Sequence, residues 1–78
     1  MERLIIYKLL ECHGEDRFEL GYYQKEEDAQ KEMDDRAKRL VKDLAKQSSK
    51  VSYTLRHTEN AVYLNNNKIF VIHGIVVQ

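Results

Sequence analysis

The last eleven residues, Lys68 to Gln78 (KIFVIHGIVVQ), restrict the fold more than any other stretch of this chain. Ile69, Phe70, Val71, Ile72, Ile75, Val76 and Val77 place apolar side chains at odd and even positions alike. Successive side chains of a strand point to opposite faces, so a strand of this kind wants cover on both. A chain of 78 residues with one long helical segment can cover only one face of a sheet with that helix. The other face is expected to be covered from outside the chain.

One further segment is apolar at both parities. From Arg3 to Glu11, Leu4, Ile6 and Leu10 alternate with Ile5, Tyr7 and Leu9, and only Lys8 interrupts the pattern. The polar run Cys12 to Asp16, with Gly14 inside it, suits a hairpin loop of three to five residues. Arg17 to Tyr23 then alternates cleanly. Phe18, Leu20 and Tyr22 form its inward set, and Arg17, Glu19, Gly21 and Tyr23 its outward set, the pattern of a half-buried edge strand.

Gln24 to about Gln47 reads as a helix. Ala29, Met33, Ala37, Leu40 and Leu44 recur on one helical stripe, which Val41 and Ala45 widen. Gln24 with Glu27 is a weak capping box, because glutamine caps less well than serine or aspartate. Acidic residues crowd the first half, and Arg36, Lys38, Arg39, Lys42 and Lys46 the second, which complements the helix dipole. Ser48 and Ser49 end the helix. Val51, Tyr53, Leu55 and His57 alternate with polar residues as a third strand, whose phase slips at Glu59–Asn60. That slip is expected to be a bulge or a short turn. Asn65, Asn66 and Asn67 form a tight turn, since asparagine tolerates positive φ.

These pieces assemble into an α+β fold, ββαββ, as a single compact domain over residues 1–78. The two strands apolar on both faces belong in the middle of a four-stranded mixed sheet, order 2-1-4-3, with the first and last strands parallel. One long helix packs on one face. Ile5, Tyr7 and Leu9, with alternate residues of the last strand, are expected on the uncovered face. Large apolar patches are rarely left exposed on soluble monomers, so self-association or a target should bury this one.

Composition narrows the function. Thirteen basic and thirteen acidic residues give zero formal charge, which disfavours a dedicated nucleic-acid binder. The lone Cys12 cannot form an internal disulfide, and with three histidines it gives no zinc spacing, so neither metal nor cofactor is expected. The apolar clusters near the N-terminus are too short for a signal peptide or a membrane span, which points to a reducing, cytoplasmic location and no membrane.

Two constellations carry possible chemistry. A register centred on Asn66 sets His57 and His73 diagonally on one face, with Glu59 beside His73, although a metal or acid–base site needs a third convergent group. Cys12–His13 could pair a thiol with a base, but adjacent strand residues point apart and nothing orients the histidine. No Gly-rich phosphate loop or serine nucleophile motif is present, and catalysis is not expected.

The residues that stand out for binding are Ile5, Tyr7, Leu9, Tyr23, Tyr53, Tyr63 and Phe70 on the sheet, and Arg36 and Arg39 on the helix. Tyrosine and arginine are enriched at protein interfaces, and aromatics on an open sheet can also stack bases. The sequence therefore points first to a small protein-binding regulator or inhibitor. It is expected to act through sheet-face or helix contacts as a homodimer, like many accessory proteins of phages and mobile elements. A nucleic-acid module using tyrosines with Arg3, Arg17, Arg56 and Lys68 is the alternative.

Overall fold

The computed structural model describes residues 4–47, 50 and 52–77. The expected roles of Arg3, Ser48, Ser49, Val51 and Gln78 lie outside the described residues. The elements run β1 (Leu4–His13), β2 (Asp16–Tyr23), α1 (Glu26–Gln47), β3 (Leu55–His57), β4 (Ala61–Leu64) and β5 (Asn67–Val77). The fold is α+β, with one helix packed against a single sheet of order β2-β1-β5-β4-β3.

The first hairpin is tighter than expected. His13 pairs with Asp16, leaving a loop of only Gly14 and Glu15, and Gly14 supplies the positive φ of 63°. Positive φ at the first loop residue is the habit of a type II′ turn, which matches the twist of the flanking strands. The asparagine turn forms as predicted. Leu64 pairs with Asn67 around Asn65 and Asn66, whose φ values of 49° and 71° both lie in the left-handed region. Asn65 also ties down the segment before β3, its Oδ1 accepting from the Thr54 N–H at 2.9 Å.

The sheet corrects the expected topology. The phase slip at Glu59–Asn60 is a full reversal, closed by a bond from the Thr58 N–H to the Ala61 carbonyl at 2.8 Å. It splits the anticipated third strand into β3 and β4, giving five strands in place of four. One extra reversal also flips the polarity of the last strand. β5 therefore pairs antiparallel with β1, from Leu4 opposite Val77 to Glu11 opposite Phe70, and no parallel pair exists among the described strands. β1 and β5 are nevertheless interior strands, as their two-faced composition required.

Helix α1 presents the predicted stripe. Ala29, Met33 and Ala37 are buried, and Leu40, Val41 and Leu44 are half-buried toward the C-terminal end. They pack on Leu9, Val62, Phe70 and Ile72, with Tyr7, Leu20, Tyr23, Leu55 and Ile69 around them. The odd residues of β1 thus face the helix, so Tyr7 and Leu9 are core residues and not part of an uncovered face. β2 carries a bulge opposite Leu9 and Leu10 that reverses its alternation. Tyr23 consequently turns to the core while Tyr22 is exposed, against the expected assignment of both.

On the other face Leu10, Cys12, Ala61 and Val71 form a second buried cluster, with Tyr63 packed beside it. No helix covers them. Their cross-strand neighbours are long polar side chains, Glu19 opposite Leu10 and Arg17 opposite Cys12. The centre of the uncovered face is thereby screened from within the chain.

Candidate interaction surface

Apolar exposure is concentrated at one end of the sheet. β1 has 10 residues and β5 has 11, whereas β2 has 8 and β4 only 4. β2 stops pairing at Tyr7, and β4 stops at Val71. Leu4–Ile6 and Gly74–Val77 therefore project as a two-stranded ribbon beyond their neighbours, and the molecule reaches 54 Å in its longest dimension. Glu26, at the start of α1, lines a pocket with Tyr7, Ile72 and Gly74 at the base of this ribbon, and the later turns of α1 lie beside Glu11 and Phe70. Leu4, Ile5, Ile75, Val76 and Val77 are exposed by 52, 39, 38, 48 and 40%.

The size of this exposure can be weighed. Full burial of an aliphatic side chain is worth about 1.5–3 kcal/mol, so covering these half-open ones yields roughly 1 kcal/mol each, and about 10 kcal/mol when two such ribbons cover one another. Association costs about 4–15 kcal/mol in lost freedom of motion. The ribbon is of the right size to support a reversible contact.

The uncovered sheet face has a different character. Cross-strand pairing sets Tyr63 beside both Arg56 and Lys68. The Arg56 guanidinium carbon lies 4.3 Å from the Tyr63 ring centroid, and Lys68 Nζ lies 5.8 Å from it. Cations at these distances are attracted to the ring face. Lys8 contacts Glu19 at 3.6 Å on the same face, and Arg17 donates to the carbonyls of Gly14 and Asp16 at 2.9 and 3.1 Å. Among the described strand residues, four cations (Lys8, Arg17, Arg56 and Lys68) against the one carboxylate of Glu19 make this face basic. The Tyr22 hydroxyl donates to Glu19 Oε2 at 2.9 Å, and this bond raises the phenol above its ordinary value, helped by slight desolvation and the carboxylate charge.

The nine residues singled out by sequence do not form one surface. Leu9 and Phe70 lie in the core, with Tyr7 and Tyr23 packed against it. Tyr53 is half-buried and precedes β3. Ile5 belongs to the ribbon, and Tyr63 to the basic face. Arg36 and Arg39 both reach Glu32 Oε1, at 2.8 and 3.7 Å. They line a groove of about 270 Å³ with Glu11, Leu40, Asp43 and Phe70, so its charges largely cancel. The ribbon residues Leu4, Ile75, Val76 and Val77 were not chosen. The signal that could have found them is strand length: the two-faced segments outrun the segments able to flank them.

The paired histidines are separated. The register about Asn66 holds at Val62–Phe70 and Ala61–Val71, but the chain turns away before His57 can reach β5. His57 instead pairs with Val62 on the helix side, its Nδ1 2.8 Å from Asp34 Oδ1. His73 pairs with Lys8 on the opposite face. Among the described residues no group of three or more His, Cys, Asp or Glu could hold a metal ion. Cys12 is buried, while His13 is exposed, lies 3.0 Å from Glu11 and stands edge-on to Phe18. Among the described residues no helix is long and apolar enough to cross a membrane.

No family model, curated protein or solved structure matches this chain.

Proposed function

We propose that this chain is a non-catalytic protein-binding regulator or inhibitor that works as a homodimer. The observation that carries the reading is the apolar ribbon, which spends hydrophobic residues on solvent at both of its faces. Exposed apolar surface of this kind marks interaction sites. With the ribbon given to self-association, the target surface is the basic sheet face around Arg56, Tyr63 and Lys68, and the target is an acidic protein surface. Tyrosine and arginine in contact are the side chains that dominate interface energetics.

The test compares capture by the wild-type protein with capture by an Arg56→Ala/Tyr63→Ala variant, from nuclease-treated extract. Retention of a protein by the wild type and its loss from the variant supports the reading. Equal capture by both, or capture by neither, removes it.

The same face favours a second reading, single-stranded nucleic acid. Four cations surround exposed or half-exposed tyrosines, and such faces combine phosphate contacts with base stacking. An oligonucleotide titration separates the two. Binding through phosphates weakens with salt at a log–log slope of about −0.7 for each single-strand phosphate contacted.

A further inference from the structure

Natural sheets blunt their edges with charge, bulges and short strands. This sheet does so where it formally ends. β2 carries Arg17, Glu19 and a bulge, and β3 is only three residues long with Arg56 and His57. The ribbon is different. From Gly74 to Val77, β5 has no charged residue, no proline and no bulge, and it runs past the end of β4.

The backbone shows which groups this edge presents. The Ile72 N–H donates outward, to the Asn60 carbonyl at 2.7 Å. Antiparallel strands turn alternate residues to alternate neighbours, so Gly74 and Val76 also direct their N–H and C=O groups away from β1. Among the described residues no hydrogen bond reaches them. β1 offers less, since Tyr7 is already paired and, among the described residues, only Ile5 lies beyond β2 with outward groups.

Gly74 adds an independent sign. A side chain there would meet the Ile5 Cγ2 at 3.5 Å and the Tyr7 ring at 3.8 Å, ordinary contact distances, and its φ is not in the left-handed region. Neither space nor conformation within the chain demands glycine. A glycine inside a strand weakens it unless another backbone or side chain comes close.

We infer that β5 pairs antiparallel with β5 of a second copy of this chain, about a two-fold axis through Ile75, joining two sheets into one of ten strands. The inference rests on the homodimer reading and names its surface. Asn60 occupies the edge at Ile72, so the added strand begins at Gly74. Gly74 then faces the partner subunit's Val76, Val76 faces the partner subunit's Gly74, and four backbone hydrogen bonds close the joint. The partner subunit's Val76 fills the space that Gly74 leaves beside Tyr7. The occupant is a second copy because Gly74 to Val77 carries no charge of its own and is apolar on both faces, with Glu26 and Glu59 bordering it only at Gly74, and because it complements itself under two-fold rotation.

Light scattering across a concentration series, with amide hydrogen exchange, tests this. The wild type is expected to be a dimer in the micromolar range, with Gly74 and Val76 amides protected in the dimer and exposed on dilution. His73 and Ile75 point to β1 and stay protected in both states. Val76→Pro removes only an outward N–H and should weaken dimerisation by about a hundredfold while leaving the fold intact. Val76→Glu keeps that N–H but sets a carboxylate beside Glu26 and Glu59 at the partner's Gly74, and should also be monomeric, which covers the case that the proline variant fails to fold. A wild type that is monomeric at high micromolar concentration overturns the inference. A folded Val76→Glu dimer, or rapid Gly74 and Val76 exchange in the wild-type dimer, overturns the edge pairing and assigns the dimer to another surface. Target capture by the basic face is read separately and can fail on its own.

Discussion

Leu9 stands at the centre of the sheet, opposite Gly21 on one side and Ile72 on the other, and is fully covered by α1. Leu9→Ala should destabilise the fold by about 2–5 kcal/mol, read from a urea transition, because small-for-large changes in a core leave a cavity. Its value is therefore structural, although the sequence marks it as an interface residue. Parity alone sorts Leu9 with Ile5 and Tyr7 correctly but does not say which parity the helix takes. Tyr22 and Tyr23 show a different limit, since one bulge at Leu20 of β2 exchanges their faces; Gly21 stands beside that bulge, but a glycine inside a strand marks a bend or a close backbone approach as readily as a bulge. The Tyr22–Glu19 bond gives a test by titration. Because the folded phenol is raised, its contribution is fully present below the unfolded value of 10.0 and is lost as pH rises through the raised value. Glu19→Gln should lower the midpoint of one tyrosine in an absorbance titration. Unchanged midpoints for all five tyrosines would contradict the contact.

At the scale of elements, α1 begins later than its sequence cap suggests. The Ala29 N–H donates to the Lys25 carbonyl at 3.3 Å, which makes Lys25 the cap residue. Lysine offers no side-chain acceptor and sets a positive charge at the positive end of the helix. Lys25→Ser should raise stability by about 1 kcal/mol, seen as a higher melting temperature. The body of the helix was legible because its stripe of Ala29, Met33 and Ala37 repeats over many turns. The Asn65–Asn66 turn was legible because positive φ has a residue signature. The turn at Glu59–Asn60 has none, as both residues keep φ out of the left-handed region, and only the phase slip betrayed it. That single ambiguity between bulge and reversal decided strand number and the direction of β5.

For the molecule as a whole, exposed aliphatic side chains gather at one end of the sheet, apart from the aromatic Phe18 and Tyr22 on β2, and positive charge gathers on one of its faces. The two are separable by salt. The proposed edge pairing through Gly74–Val77 makes no ion pair, so added salt should leave the dimer constant unchanged or tighter, while binding to the basic face should weaken. Loss of the dimer at high salt would assign it to the basic face instead. The central β1–β5 pairing also sets an order in time. It joins Leu4 with Val77, so most of the sheet cannot close until β5 is in place. Contacts of such long sequence separation fold in roughly milliseconds to seconds, where local helical bundles take microseconds to milliseconds. During synthesis the first hairpin and α1 can form early, but Leu9 must wait for Ile72 on β5, which follows α1, β3 and β4. The nascent chain thus carries β1 paired with β2 but open on its β5 side for longest, and that interval is when a chaperone has most to hold.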